Sequence, residues 1–207
     1  MATRPSRFPT RILLSAAALG AAGGVYVVAL NWASVLTGAI AYYIYAATIA
    51  LWALPVFVSQ ALLRRPGIAL LTAVIMALIN AAFTPFGVQQ LANFVVVGLL
   101  MELPFAVTLY RRWSKRMFWI AHPISALLQS AIYTVSVILA FEAVPWWALT
   151  IAIVGGIISS FVVTWLGQLI AGRLRKAGLG GREVARPAQA ETVASDPLAP
   201  KPLATEA

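Results

Sequence analysis

The stretch RRPGIALLTAVIMALINAAFTPFGVQQLANFVVVGLLMELPFAVTLYRR, residues 64–112, contains two apolar runs that lie between two pairs of arginines. The runs cover about 68–83 and 89–110, and a Phe86-Gly87 turn separates them. In lipid, such a run becomes a helix, because a helix satisfies its own backbone hydrogen bonds, and roughly 17 to 25 residues cross the bilayer. The stretch therefore predicts two transmembrane helices joined by a short turn.

Apolar runs of the same kind continue on both sides of this stretch. They predict an all-α integral membrane bundle of six transmembrane helices, over about 11–30, 35–63, 68–83, 89–110, 117–141 and 146–173. The second run is long enough to tilt or to break near Pro55. We therefore expect one membrane domain over residues 1–176, followed by a disordered cytoplasmic tail over 177–207, where Gly, Ala, Pro, Glu and Thr replace the apolar periodicity.

The composition agrees with a lipid environment. Hydrophobic residues make up 61% of the 207 residues and charged residues only 10%, which is too little polar surface for a water-soluble globule. The absence of cysteine excludes a disulfide framework and a thiolate metal site, and a single histidine leaves no histidine cluster for a metal. We expect no cofactor. The net charge of +9 indicates membrane orientation rather than nucleic acid binding.

The basic residues predict the orientation of the helices. All 15 lie on one side of the predicted bundle, in four groups: Arg4, Arg7 and Arg11; Arg64 and Arg65; Arg111, Arg112, Lys115 and Arg116; and Arg173, Arg175, Lys176, Arg182, Arg186 and Lys201. Because basic loops stay in the cytoplasm, both termini are predicted to be cytoplasmic in a multi-pass protein of the cell membrane.

The first apolar run also has features of a cleavable signal peptide, with a basic start and three alanines at Ala16–Ala18. It continues to Leu30, however, and its removal would spoil the even number of helices. We therefore expect a retained first helix.

Glu102 is the only carboxylate inside a predicted span. A charged group in hydrocarbon costs about 2.5 to 3.5 kcal/mol, so such a residue usually faces the bundle interior and has a function. Gly98 and Phe105 lie one turn away on the same face, which suits a cationic or hydrogen-bonding ring. The alternative is a neutral Glu102 that bonds to a neighbouring helix.

Two predicted helices carry polar or aromatic stripes at spacings of three and four residues. The fifth has His122, Ser125, Gln129, Tyr133 and Ser136, and the second has Tyr42, Tyr45, Thr48, Trp52 and Ser59. The aromatic stripe suits stacking on a flat heterocycle, but both stripes also fit hydrogen bonds between helices or an interfacial aromatic belt. For His122, near the predicted cytoplasmic helix end, we expect capping or interfacial hydrogen bonding rather than a proton relay.

The first helix contains Gly20 and Gly24 as a GxxxG pair, with Ala17 and Ala21 at the same spacing. Small side chains let another helix approach closely, so these four residues predict a partner-docking surface. The alternative is packing against a helix of the same chain.

Two of these segments together resemble a known family. The segment Arg64–Ala69, with its basic-Pro-Gly-x-Ala pattern, and the Gly98-x-x-x-Glu102-x-x-Phe105 helix that ends at Tyr110–Trp113 are similar to YkoE-type S components of energy-coupling factor (ECF) transporters. That family is associated with thiamine or its hydroxymethylpyrimidine precursor. The likeness covers roughly the first five helices, and Leu71–Ala73 and Val97 stand where the family tends to carry polar residues.

This resemblance implies a six-helix subunit that captures its substrate from outside and associates with a transmembrane coupling protein and two ABC ATPases, with the first helix against the coupling protein. Without a Walker motif, the chain itself is not expected to hydrolyse ATP. Glu102 would pair with the thiamine cation or form a hydrogen bond to the pyrimidine, while Tyr45 and Trp52 stack on the rings. The complete expected substrate site is Glu102, Trp52, Tyr45, Gln89, Gln90, Asn93, Gln129 and Tyr133.

Other functions remain open from the sequence. A non-transporting structural or assembly subunit would use the polar stripes for helix contacts alone, and an S component for another vitamin-like heterocycle would keep the site but change the ligand. An enzyme is not expected, because no nucleophile with a base is evident.

Overall fold

The computed structural model describes residues 10–37, 41–140 and 145–179, and these residues form seven helices and no strand. The all-α prediction is thus confirmed. The helices are α1 (Thr10–Leu36), α2 (Ala41–Trp52), α3 (Leu54–Leu63), α4 (Ile68–Phe83), α5 (Val88–Val107), α6 (Lys115–Ala140) and α7 (Trp146–Lys176). Most of the predicted tail, 180–207, lies outside the described residues.

The second predicted run forms two helices rather than one. The break falls at Ala53, two residues before Pro55, which lies at the start of α3. Proline has no N–H for an intrahelical bond and its ring clashes with the preceding turn, so it is tolerated at a helix start but not inside. The sequence therefore located this interruption correctly.

Three described helical segments are long and apolar enough to cross a membrane: Thr10–Leu36, Val88–Val107 and Leu149–Lys176. Large apolar side chains are exposed on the outside of the bundle, among them Val25, Leu103, Ile132 and Trp165. Lipid is the solvent that accepts such a surface. The number of six spans and the orientation of the termini remain predictions.

The close approach of α1 to α4 explains the GxxxG pair. A Cβ on Gly20 would lie 2.9 Å from Ile75 Cβ, and one on Gly24 would lie 2.7 Å from Ile79 Cδ1. These two glycines pack within the chain, as the alternative interpretation expected, because α4 occupies the groove that they open. Ala17 is half-buried and Ala21 is exposed, so of these four residues only the alanines are accessible to a partner.

The described basic residues gather at one end of the bundle, which we call the basic end. They are Arg11, Arg64, Arg65, Arg111, Arg112, Lys115, Arg116, Arg173, Arg175 and Lys176. Hydrogen bonds join this end, since Arg11 Nη2 donates to Gly178 O at 2.8 Å and Arg175 Nη2 donates to Ala61 O at 3.1 Å. The grouping agrees with the charge pattern of the sequence, although Arg4, Arg7, Arg182, Arg186 and Lys201 lie outside the described residues.

Candidate functional site

A cavity of about 420 Å³ lies between α1, α2, α5 and α6, at the end of the bundle opposite to the basic end. Ten described residues line it: Asn31, Ser34, Val35, Tyr45, Trp52, Phe86, Gln89, Gln90, Asn93 and Tyr133. Six of the eight residues in the expected substrate site are among them, from three separate helices. We call this space the amide cavity, because four of its lining side chains are amides.

Aromatic rings form one wall of the amide cavity. The ring centroid of Tyr45 lies 4.7 Å from that of Trp52 on the same helix and 4.5 Å from that of Tyr133 on α6. Trp52 is buried, so the packing of its neighbours holds its ring. This wall offers ring faces and edges to a flat ligand.

Amide groups on α1 and α5 form another part of the lining, and Asn31 is the centre of their hydrogen bonds. Its Nδ2 donates to Asn80 Oδ1 at 2.9 Å, and its Oδ1 accepts a hydrogen bond from Gln90 Nε2 at 3.2 Å. Asn80, which is fully buried, donates in turn to Met76 O at 2.8 Å. Three helices are thereby joined through side-chain amides, and Gln90 is oriented at the cavity wall.

Gln89 and Asn93 also line the amide cavity. They are four residues apart on α5, so they share a face of the helix, and both are exposed. Their amide groups are therefore accessible to a ligand that enters the cavity.

Glu102 lies away from the amide cavity. Its carboxylate is buried, and Oε1 accepts a hydrogen bond of 2.9 Å from the backbone N–H of Ala69, in the first turn of α4. Asn93, the lining residue of α5 nearest to it in the chain, is nine residues before Glu102, which is about 14 Å along a helix. The structure thus places Glu102 as a cap on a helix start near the basic end, where it bonds to a neighbouring helix as the alternative interpretation expected.

Glu102 also affects the pKa of Tyr110, which follows α5 in the chain. Burial, followed by the negative charge of Glu102, raises the pKa of Tyr110 above its usual value. Tyr110 lies beyond the end of α5 and stacks on Trp113 at a centroid distance of 6.1 Å. The surroundings of Glu102 are therefore those of the basic end and not those of the amide cavity.

The polar stripe of α6 divides into two parts. At one end, His122 Nδ1 is 2.7 Å from Thr164 Oγ1 on α7, and Ser125 Oγ donates to Leu100 O on α5 at 2.7 Å. His122 is buried in the bundle, so the expected interfacial role is wrong, because α7 supplies a partner inside the protein. At the other end of the stripe, Tyr133 reaches the amide cavity.

Gln129 lies between these parts, one turn before Tyr133. Its side chain is buried, and neither amide atom has a hydrogen-bond partner among the described residues. It does not line the amide cavity, although its position on the helix face continues the line from Tyr133.

Four lining residues were not expected from the sequence: Asn31, Ser34, Val35 and Phe86. The first three lie in the part of α1 beyond the predicted helix end at residue 30. An asparagine inside a long apolar helix was the available signal, because a buried amide needs partners.

The comparisons with known proteins agree with this architecture. Residues 12–128, more than half of the chain, match the family described as "ABC-type cobalt transport system, permease component". One solved structure, described as "Crystal structure of an S-component of ECF transporter", superimposes with a TM-score of 0.71 at 22% sequence identity, over 83% of this chain and 88% of that chain. No curated protein sequence matches the chain.

At that identity the superposition establishes the fold, while the family match establishes the relationship. Together with the long apolar helices, they make the chain a multi-pass protein of the cell membrane with an S-component fold. The chain belongs to the family of permease components of ABC-type cobalt transport systems.

Proposed function

We propose that this chain is the substrate-capturing subunit of an ECF-type importer and that the amide cavity binds a small, flat, uncharged heterocycle. One observation carries the proposal: a cavity of about 420 Å³ lined by aromatic and amide side chains lies at the end of the bundle away from the basic residues. By the positive-inside rule, that end faces the outside, where an importer meets its substrate.

The shape and lining of the cavity favour a heterocycle. Its volume falls in the range of roughly 300 to 1,000 Å³ that is usual for small-molecule sites. Tyr45, Trp52 and Tyr133 provide ring surfaces, and Gln89 and Asn93 provide hydrogen-bond donors and acceptors. This combination selects a ring with nitrogen or oxygen atoms at its edge.

The charge of the lining favours a neutral ligand. All ten described lining residues are uncharged, and a buried cation without an opposing charge is costly. Of the two expected ligands, hydroxymethylpyrimidine is neutral, whereas thiamine would have to place its thiazolium against aromatic faces alone. We therefore propose the pyrimidine precursor in preference to thiamine, with Gln129 as a deeper group that a longer ligand would meet.

Cobalt appears in the description of the family, but the lining groups do not favour a bare cobalt ion. The described lining residues offer amide, hydroxyl and aromatic groups, without the imidazole or thiolate ligands that such ions prefer. Within the part of the chain that the structure describes, no group of three His, Cys, Asp or Glu residues could hold a metal ion. The organic ligand is the better match to this donor set.

The proposal includes a coupling membrane protein and two ABC ATPases, which would provide the energy for import. The accessible face of α1 around Ala21 is the proposed docking surface for the coupling protein, since Gly20 and Gly24 are occupied by α4.

Calorimetry of the detergent-purified chain tests the function directly. The titrants are hydroxymethylpyrimidine, thiamine, other flat heterocycles and Co²⁺. Tight binding of hydroxymethylpyrimidine supports the proposal, and tight binding of another heterocycle changes only the ligand. Binding of Co²⁺ alone, or of no titrant, contradicts the proposal, and the second result favours an assembly subunit.

A pair of tryptophan variants tests whether the ligand occupies the amide cavity. Trp52→Ala is expected to weaken binding roughly tenfold to a hundredfold, because stacking on the ring is lost. Trp146→Ala is the matched control, since Trp146 is 78% exposed and does not line the cavity. Equal affinity in wild type and Trp52→Ala would place the ligand elsewhere.

A further inference from the structure

A second cavity, of about 330 Å³, lies at the basic end between α3, α6 and α7. Three of its lining residues are cations: Arg64 at the end of α3, Lys115 at the start of α6 and Arg175 in the last turn of α7. Two tryptophans, Trp119 and Trp165, also line it. We call this space the cationic cavity.

We propose that the cationic cavity binds the phosphate group of an anionic phospholipid from the surrounding membrane. The proposal is independent of the substrate that the amide cavity takes.

Two hydrogen-bond donors beside the cationic cavity lack an acceptor among the described residues. Arg64 Nε and Gln168 Nε2 are buried, and neither has a hydrogen-bond partner among the described residues. Both residues line the cavity, and a phosphate brings several acceptor oxygens. An unpaired buried donor is unfavourable, so an anion that reaches these side chains would be held by hydrogen bonds as well as by charge.

The fold keeps these cations close to one another. Arg175 Nη2 donates to Ala61 O at 3.1 Å, which attaches the end of α7 to α3. Arg64 has a left-handed backbone with φ of 46°, and its N–H donates to Gln60 O at 3.0 Å. The turn that ends α3 therefore fixes the position of the Arg64 backbone.

No described carboxylate neutralises this charge. Glu102 is the only acidic residue in the part of the chain that the structure describes, and it does not line the cavity. Its carboxylate instead accepts the N–H of Ala69. Among the described residues, the charges of Arg64 and Lys115 are therefore not balanced by a carboxylate in this cavity.

The surface beside the cavity favours a lipid over free phosphate. Trp119, Trp165 and Leu169 are 37%, 56% and 39% exposed, so an apolar surface adjoins the cations. Tryptophan is enriched at the membrane interface, and basic pockets between transmembrane helices bind anionic headgroups. A phospholipid would place its phosphate among the cations and its acyl chains along these side chains.

Native mass spectrometry of the full chain, released from mixed micelles, measures this binding. The probes are phosphatidylglycerol, phosphatidylcholine and inorganic phosphate. We expect phosphatidylglycerol to be retained in preference to phosphatidylcholine. The double variant Arg64→Gln, Lys115→Gln is expected to bind phosphatidylglycerol about thirtyfold more weakly.

The matched control is Arg111→Gln, Arg112→Gln, which removes the same charge at the basic end from two exposed residues outside the cavity. It should bind phosphatidylglycerol within about twofold of the wild type. If Arg64→Gln prevents folding, Lys115→Gln alone is tested, because Lys115 is exposed. Equal retention of the two lipids, equal losses in the two double variants, or retention of inorganic phosphate alone would overturn the proposal.

Discussion

The two ends of the bundle enclose cavities of about 420 and 330 Å³ that differ in the groups around them. The amide cavity is lined by uncharged polar and aromatic side chains, whereas the cationic cavity contains two arginines and a lysine. A cavity without charge must select its ligand by stacking and hydrogen bonds, and a cavity with charge attracts anions of many kinds. We therefore expect selection of the substrate at the amide cavity and binding of lipid at the cationic cavity.

The largest expected effect concerns the hydrogen bonds that Asn31 makes with Asn80 and Gln90 beside the amide cavity. Asn31→Leu removes the partner of both Asn80 and Gln90 and should lower the free energy of unfolding by about 3 kcal/mol, because two buried amides lose a bond. Denaturant unfolding in detergent measures this. Ala33→Leu adds the same side chain at an exposed position of α1 and should change stability little. Equal stability of the two variants would show that these hydrogen bonds are dispensable.

A second prediction separates ligand binding from stability at the same end. The double variant Gln89→Leu, Asn93→Leu should weaken binding of the best titrant by about 2 kcal/mol, since two hydrogen bonds to the ligand are lost. Both residues are exposed, so the unfolding free energy should stay within about 0.5 kcal/mol of the wild type. Calorimetry and denaturant unfolding are compared on one preparation. A loss of stability without a loss of affinity would show that Gln89 and Asn93 support the fold and do not bind the ligand.

A third prediction tests whether Glu102, near the basic end, contributes to stability and not to ligand binding. Glu102→Leu should lower the unfolding free energy by about 1.5 kcal/mol, because the buried N–H of Ala69 loses its acceptor. Glu102→Gln retains an oxygen acceptor and should recover most of this loss. Neither variant should change ligand affinity more than about twofold, since Asn93, the lining residue of α5 nearest to Glu102 in the chain, is about 14 Å away along the helix. A large drop in affinity in the glutamine variant would return Glu102 to the substrate site.

The smallest expected effect concerns the outside of α1. Ala21→Leu adds bulk on the exposed alanine and should weaken association with the coupling protein by about 1 kcal/mol, while ligand binding stays unchanged. Co-purification with the coupling protein at several concentrations measures it. Ala131→Leu makes the same change on the exposed face of α6 and is the control. An equal effect of both variants would argue against a docking surface on α1.

Much of the fold could be predicted from the sequence. Helix α4 was predicted with its observed bounds, and the interruption before Pro55 was located within two residues. Helix α1 was predicted to end at residue 30, six residues too early, because Asn31 and Ser34 interrupt the apolar run. Ser34 donates to the Asn31 carbonyl of its own helix. Asn31 bonds to Asn80 on α4, and a partner on another helix cannot be read from one helix alone.

The site was predictable in part. The stripe that contains Tyr45 and Trp52 was evident from spacing, and the structure brings it to Tyr133 and to the start of α5. Glu102 was expected to join them, since a carboxylate in a span suggests a function. The structure gives it a helix start as partner instead, because the turn before α4 brings a free backbone N–H against α5.

The sequence by itself determined that this is an all-helical membrane protein whose described basic residues gather at one end, because apolar length and charge placement are properties of the chain alone. Only the tertiary structure decided which of the candidate residues contact other helices and which line a cavity. Gly20, Gly24, His122 and Glu102 meet partners within the bundle, while Gln89 and Asn93 remain accessible. The physical reason is that periodicity gives the face of a residue on its own helix, and only packing determines what that face meets.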